Sequence, residues 1–291
     1  MRHVTRLVFL LLVIASIPLL AQHRRVVFFH FDGQPGPPRG FAINNHGEVA
    51  GTLGAELPLQ EGFIWANGRF REVFQYKTLP SALISLTQVY GINDRGDTVG
   101  LFATDVPDES GFFVRDRHGH GTLLPSGEGA GYPSAINDAG TIVGSNGTHG
   151  YVLVGGHYTL VAYPGAALTA FTGINRWGTV SGWYSAGFEA PKTGFIYSDG
   201  KFQTTFQCVQ DGVAQSTEPR AINDWGEIAG NCGTRMFVRD RFGTITFVNL
   251  ENVPTQPTMT GINDRGDLVG YSRSSPGDVD TFVMYGAVKR H

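Results

Sequence analysis

The segment Ala42-Ile43-Asn44-Asn45-His46-Gly47-Glu48-Val49-Ala50-Gly51 decides the fold, because five further copies of the same ten-residue pattern follow it. The other copies span residues 91–100, 135–144, 173–182, 221–230 and 261–270. Their asparagines are 38 (137 to 175) to 49 (44 to 93) residues apart. A period of about 20 to 50 residues is typical of solenoids, propellers and other arrays. The chain is therefore a repeat protein.

Each copy of the pattern predicts a β-hairpin. Asn44 suits the first position of a type I turn, and Gly47 suits the left-handed position that closes it. Ile43 and Val49 flank the turn and are expected to face the core. A second hairpin, at 62–68 in the first copy, follows each pattern. Each repeat thus supplies four strands, a to d.

The two ends of the chain indicate how the array closes. Strands a, b and c occur six times, but the d strand follows c only five times, because the last unit stops near residue 286. A strand-like segment at 25–31 precedes the first a strand. If it completes the last unit, the sheets form a ring with only short, protected edges. We predict an all-β, six-bladed β-propeller of four-stranded antiparallel blades, closed by this N-terminal strand. The alternative is a β-solenoid or other stacked β-repeat array.

The N-terminus predicts export. Arg2 and Arg6 precede an apolar stretch from Leu7 to Leu20, which ends at Ala21 before a polar cluster. This is the pattern of a secretory signal, and the stretch is shorter than the roughly 20 residues of a membrane span. We expect a signal peptide at 1–21, a propeller domain at 22–291, a secreted or periplasmic location, and no transmembrane helix after cleavage.

Composition excludes one class of partner. Residues 1–21 contain two of the 22 Lys and Arg and none of the 25 acidic residues, which leaves about −5 (20 minus 25). A weakly acidic chain without basic runs is not suited to nucleic acid, whose phosphates require clustered Lys and Arg. We expect no nucleic-acid partner and a monomer.

No metal or other cofactor is expected. The turns at 93–97 and 263–267 resemble calcium loops superficially, but the distal carboxylate that such loops need is missing. His118 and His120 flank Gly119 in a predicted turn, without an acidic or Cys partner nearby. Both patterns are explained by the residue types that tight turns prefer.

Cys208 and Cys232 are the only cysteines. An even count in an exported chain permits one disulfide between them, and two buried thiols are the alternative.

The repeated I-N-D-x-G-x-x-V-G pattern, with its following G-F hairpin, resembles the HAF repeat of bacterial extracellular repeat proteins. The resemblance covers residues 26–286, and it implies export and a repeated β architecture. It supplies no activity and so no catalytic residue. The fourth unit departs from the pattern at Arg176, Trp177 and Ser181.

The candidate site follows from strand direction. Consecutive strands alternate, so the tight a–b and c–d turns lie on one face and the longer, variable b–c and d–a loops lie on the other. Variable loops on a rigid scaffold are common binding sites. Aromatic and arginine side chains predicted on this face would grip a polar ligand such as a glycan or peptide. These candidates are Trp183, Tyr184, Tyr132, Arg220, Tyr271 and Arg273.

Three functions fit these features. The chain has no G-x-S-x-G or H-E-x-x-H motif. We expect an exported non-catalytic binding or interaction module, with an extracellular polysaccharide or a surface protein as ligand. The first alternative is a propeller enzyme acting on carbohydrate, a hydrolase or lyase, which would need two carboxylates at a defined separation. The second is a purely structural envelope protein.

Overall fold

A computed structural model describes residues 25–31, 36–54, 59–78, 84–106, 109–250, 256–275 and 278–288. Within these residues the chain is entirely β-structure, with six four-stranded antiparallel sheets that form a six-bladed propeller. No helix in this part of the chain is long and apolar enough to cross a membrane. The predicted signal peptide at 1–21 lies outside the described residues.

The strands follow the repeat, with four from each unit. Strand β1 is Arg25–Phe29, and blade 1 contains β2 (Pro38–Ile43), β3 (Val49–Leu53), β4 (Glu61–Ala66) and β5 (Arg69–Phe74). Blade 2 contains β6 (Ile84–Ile92), β7 (Thr98–Thr104), β8 (Ser110–Arg115) and β9 (Gly121–Leu123). Blade 3 contains β10 (Tyr132–Ile136), β11 (Ile142–Ser145), β12 (Gly150–Val154) and β13 (His157–Val161).

The second half of the ring repeats this arrangement. Blade 4 contains β14 (Leu168–Ile174), β15 (Val180–Ser185), β16 (Thr193–Ser198) and β17 (Lys201–Phe206). A two-stranded ribbon, β18 (Val209–Gln210) and β19 (Val213–Ala214), leads to blade 5. Blade 5 contains β20 (Thr217–Ile222), β21 (Ile228–Cys232), β22 (Arg235–Arg239) and β23 (Ile245–Val248). Blade 6 contains β24 (Thr258–Ile262), β25 (Leu268–Ser275) and β26 (Asp278–Tyr285).

The N-terminal strand completes the last blade, as predicted. Strand β1 pairs antiparallel with β26, with Arg25 opposite Tyr285 and Phe29 opposite Thr281. The Phe29 ring also stacks on Trp65 of blade 1, with 4.4 Å between ring centroids. The closing strand therefore links the last blade to the first. The prediction of a closed propeller is confirmed, and the solenoid alternative is wrong.

Each repeated asparagine builds its own turn. In blade 1 the Oδ1 of Asn44 accepts hydrogen bonds from the backbone N–H groups of His46 and Glu48, both at 3.0 Å. The backbone N–H of Gly47 donates to the Asn44 carbonyl at 3.0 Å, and Gly47 has a φ of 77°. An asparagine side chain can replace a backbone acceptor in this way, and glycine adopts positive φ without steric cost.

The same asparagines join the six blades into a ring. The Nδ2 of Asn44 donates to the backbone carbonyl of Asn93 in the next blade at 3.0 Å, and Asn263 donates to Asn44 at 3.0 Å to complete the circle. All six asparagines are at most 6% exposed. The intermediate links are Asn93 to Asn137, Asn137 to Asn175, Asn175 to Asn223, and Asn223 to Asn263, at 3.1 to 3.2 Å.

The glycine that ends each pattern is required by close packing. A Cβ at Gly100 would lie 1.9 Å from the carbonyl oxygen of Gln88 and 3.0 Å from the Phe113 ring. The other five terminal glycines face the same pair of neighbours, a backbone oxygen of the a strand and an aromatic ring of the c strand. They are Gly51, Gly144, Gly182, Gly230 and Gly270.

The two cysteines form a disulfide between consecutive units. Cys208 precedes the β18–β19 ribbon and Cys232 ends β21, and their Cα atoms are 5.9 Å apart. Both are at most 1% exposed. The bridge therefore ties the segment after blade 4 to blade 5.

We expect Gly100→Ala to lower the free energy of unfolding by about 1–3 kcal/mol, because the new methyl group overpacks the contact with Gln88 and Phe113. Gly187→Ala is the control, since a Cβ there meets nothing within 4 Å. Urea unfolding measures both variants. Equal stability of the two would contradict this account of the repeated glycine.

We expect Asn137→Ala to cost about 1–3 kcal/mol of unfolding free energy for each buried backbone group that it leaves unpaired. The Oδ1 of Asn137 accepts from the backbone N–H groups of Ala139 and Thr141, and its Nδ2 donates to a backbone carbonyl of the next blade. Asn146→Ala is the matched control, because Asn146 accepts only within a single loop, from Thr148 and His149. Thermal and urea unfolding should show a clearly larger loss for Asn137→Ala; a loss no larger than that of the control would refute the role of the inter-blade bonds.

Candidate functional site

Six equivalent β-bulges determine what lines the central channel. In blade 1 the register between β2 and β3 shifts between Gly40 and Ala42, which leaves Phe41 unpaired. The shift recurs three residues before the asparagine of every other blade. A bulge redirects the side chain of its extra residue. The bulged residues are Phe41, Tyr90, Ser134, Thr172, Arg220 and Thr260.

These side chains surround a cavity of about 320 Å³. It lies at the start of the a strands, which is the long-loop face of the propeller. Tyr132, Pro133, Thr258 and Tyr271 complete its lining. Below it the channel narrows through a collar of six buried isoleucines. These are Ile43, Ile92, Ile136, Ile174, Ile222 and Ile262.

The cavity has an aromatic half and a polar half. The Phe41 ring lies 5.6 Å from Tyr90 and 6.2 Å from Tyr271, centroid to centroid. Tyr132 borders this wall and contacts Phe112 at 5.4 Å. Burial, and then the proximity of Tyr132, raise the pKa of Tyr90, so its hydroxyl stays protonated at neutral pH. The polar half presents the side chains of Ser134, Thr172, Arg220, Thr258 and Thr260.

Arg220 is the cation of the polar half. Its Nη2 donates to Glu218 at 2.6 Å, and the Nζ of Lys192 donates to the other oxygen of the same carboxylate at 2.8 Å. Burial opposes the ionisation of Glu218, but the charges of Arg220 and Lys192 and the hydrogen bond from Lys192 outweigh it and lower the pKa. Glu218 is therefore a carboxylate at neutral pH, shared by two cations.

The structure brings three of the six candidate ligand-binding residues together. Tyr132, Arg220 and Tyr271 line the cavity. Trp183 does not line it; its ring lies under the Nζ of Lys192, 4.3 Å from the centroid. Tyr184 stacks on Tyr163, which lies in the segment between β13 and β14, with 3.7 Å between ring centroids. Arg273 is in β25, and its side chain lies outside the described residues.

All six candidate residues, which the sequence placed at the long-loop face, lie in strands and not in the loops themselves. Strand β15 continues through Trp183 and Tyr184 to Ser185, and β25 continues through Tyr271 to Ser275. These residues are strand residues because they pair with β14 and β24, for example Trp183 with Ala170.

Sequence reasoning missed Phe41 and Tyr90, the centre of the aromatic wall. The usable signal was their place in the repeat. Three residues before the asparagine, the six copies carry Phe, Tyr, Ser, Thr, Arg and Thr, while the next position alternates only between Ala and Gly. A variable position inside a uniform repeat indicates a residue that the scaffold does not use.

The opposite mouth of the channel carries a second ring, formed by the residue after each asparagine. The carboxylate of Asp94 accepts from the backbone N–H of Asn45 at 2.7 Å, and that of Asp138 accepts from Asp94 at 2.9 Å. Further links join Arg176 to Asp224, Asp224 to Asp264, and Asp264 to Asn45. No cluster suited to a metal ion occurs among the described residues. These carboxylates accept hydrogen bonds from backbone N–H groups.

One carboxylate of this ring, that of Asp224, lies in surroundings that disfavour its ionised form. Asp224 accepts from Arg176 and lies beside Asp264. Its pKa is raised to about 6, chiefly by burial and then by Asp264, which outweigh the hydrogen bond and the charge of Arg176. The folded protein therefore binds this proton more tightly than the unfolded chain does.

We expect this site to reduce stability as pH rises from about 4 to about 6, because a group whose folded pKa is raised favours the folded state only while protonated. Asp224→Asn should therefore gain stability relative to wild type at pH 7.5 and not at pH 4. Urea unfolding at both pH values tests this. Asp240→Asn is the control, and we expect it to lose stability relative to wild type at pH 7.5. Desolvation is outweighed at Asp240 by hydrogen bonds from the N–H groups of its own turn, which lower its pKa. A pH-independent difference for Asp224→Asn would refute the assignment.

Comparison with known proteins finds distant structural neighbours only. No protein-family model matches the chain, and no curated protein sequence matches it. A streptogramin B lyase structure is 14% identical, with a TM-score of 0.49, over 89% of this chain and 97% of that one. The gluconolactonase XC5397 from Xanthomonas campestris is 12% identical, with a TM-score of 0.50, over 85% and 86%. TolB from Acinetobacter baumannii is 13% identical, with a TM-score of 0.48, over 81% of this chain and 63% of that one. At this identity, the likeness to the gluconolactonase concerns the fold alone.

Proposed function

We propose that this chain is an exported, non-catalytic binding protein that takes the end of a hydroxylated ligand, an extracellular glycan, into the cavity at the long-loop mouth. One observation carries the proposal: the six bulges place an aromatic wall and a polar wall around one cavity of about 320 Å³. Cavities of roughly 300–1,000 Å³ with aromatic walls and a few convergent polar groups are typical ligand sites.

The two walls suit a sugar ring. A pyranose has apolar C–H faces that pack against aromatic rings such as those of Phe41 and Tyr90, and its rim of hydroxyls needs donors and acceptors. Ser134 and Arg220 supply donors on the polar wall, and the Oγ1 of Thr172, which donates to the Ser181 carbonyl at 3.1 Å, can still accept a hydrogen bond. The isoleucine collar stops the ligand from passing further along the channel.

The chemistry of the lining supports binding without turnover. The ten described lining residues include no carboxylate, imidazole or thiol, the groups that most often transfer protons or attack a substrate. Glu218, which contacts Arg220, is held ionised by two cations and is not poised to donate a proton. A carbohydrate hydrolase requires a pair of carboxyl groups with different roles.

Export and the HAF-repeat relationship belong to the same proposal. They are supported by the basic and apolar N-terminal segment and by six copies of the repeated pattern. A disulfide between Cys208 and Cys232 agrees with an oxidising compartment.

We expect Tyr90→Ala to weaken glycan binding by about tenfold or more, because removing one large apolar contact forfeits about 1.5–3 kcal/mol. A glycan panel identifies the ligand, and titration calorimetry measures its affinity. Phe242→Ala is the control, since Phe242 is an 80% exposed aromatic residue on the opposite face. Absence of binding across the panel, or equal effects of the two variants, would overturn the proposal; turnover of the bound glycan would overturn its non-catalytic part.

A further inference from the structure

We propose that the sugar entering the cavity is acidic, a uronic-acid residue of a glycan, and that Arg220 binds its carboxylate. This inference rests on the proposed function, because it assigns a charge to the ligand of the same cavity.

The charges of the polar wall are unbalanced. Lys192 and Arg220 both contact Glu218, so two positive charges share one negative charge. No carboxylate lines the cavity among the described residues. The excess is therefore one positive charge beside a partly enclosed cavity, where screening by water is weaker than at an open surface. A bound carboxylate would neutralise it.

Most donors of Arg220 remain unused. A guanidinium carries five N–H donors, and among the described residues Arg220 uses only Nη2, toward Glu218. Its side chain is 40% exposed, so part of the group is accessible from the cavity. Arginine presents parallel N–H groups that match the two oxygens of a carboxylate, and such bonds are about twice as strong as neutral ones.

A second arginine supports the aromatic wall. The guanidinium of Arg39 lies 5.9 Å from the centroid of Tyr271, which lines the cavity. Arg39 has no ion-pair partner among the described residues, and its Nε is buried without a hydrogen bond there. Among the described lining residues, this mouth has Arg220 and no carboxylate, whereas the opposite mouth has four carboxylates and one arginine, Arg176. The described charges therefore favour an anion at the loop-face mouth.

The ring geometry places the charge opposite an aromatic side chain. Arg220 belongs to blade 5 and Tyr90 to blade 2, which stand three blades apart in a ring of six. Tyr90 and Arg220 therefore line the cavity from opposite sides, with the ligand between them. In a uronic acid the carboxylate is attached directly to a ring carbon, so a single sugar residue can contact both the aromatic wall and Arg220.

The test compares uronic-acid oligosaccharides with their carboxyl-reduced counterparts, in which a neutral hydroxymethyl group replaces each carboxylate and every other hydroxyl is kept. Calorimetry on the full mature chain measures both ligands. We expect the acidic form to bind at least tenfold tighter, consistent with about 1.5–3 kcal/mol for a charged hydrogen bond. Arg220→Gln should remove that preference, and Arg220→Lys should restore part of it. Arg176→Gln, at the opposite mouth, should leave it unchanged.

Glu218→Gln provides an independent variant with the opposite sign. It removes the shared counter-charge, so we expect the acidic oligosaccharide to bind several-fold tighter in low salt, an effect that a structural role for Arg220 would not produce. Equal binding of the acidic and reduced forms, still weakened by Tyr90→Ala, would overturn this inference and leave the proposed function intact. If neither form binds and no glycan of the panel binds, both this inference and the proposed function would be overturned.

Discussion

The closed circle of asparagine hydrogen bonds is the interaction on which the rest of this structure depends. Each asparagine supplies the acceptor that shapes its own turn and the donor that reaches the next blade. Buried amides are costly when unpaired, and here each amide is used on both sides. The bond from Asn263 to Asn44 spans 219 residues of sequence, so the circle holds only when the ring is closed.

The asparagine hydrogen bonds fix one end of each a strand. The residues near that end therefore form the scaffold, and the bulged residue further along the strand is left for the site. Two positions lie between the bulge and the asparagine: a small residue, Ala or Gly, and the isoleucine of the collar. Both are uniform because neighbouring blades pack tightly there. For example, a Cβ at Gly173 would lie 2.8 Å from the Cα of Ala221. The bulged position is free of that packing and of the strand ladder. It can carry Phe41 in one blade and Arg220 in another without disturbing the ring.

The two mouths of the channel consequently differ in chemistry. At the turn face, the carboxylates accept hydrogen bonds from backbone N–H groups, and burial, followed by the neighbouring Asp264, raises the pKa of Asp224. At the loop face, the described lining of the cavity has Arg220 and no carboxylate, beside an aromatic wall that Arg39 contacts. Among the described residues, the two mouths thus differ in charge, and this difference favours the loop face for the proposed acidic ligand.

The repeat by itself determined the number of blades, the four strands of each, and the closing role of β1. These are local and periodic properties: the turn around Asn44 needs only neighbouring residues, and a missing strand at one end is visible by counting. Tertiary structure alone decided what the channel contains. Trp183 and Tyr184 sit on the same short strand, yet packing against Lys192 and Tyr163 keeps them from the cavity, whereas the bulge turns Phe41 and Tyr90 into it. A bulge arises from the register between two strands and the close approach of the neighbouring blade, and neither can be read from a single strand.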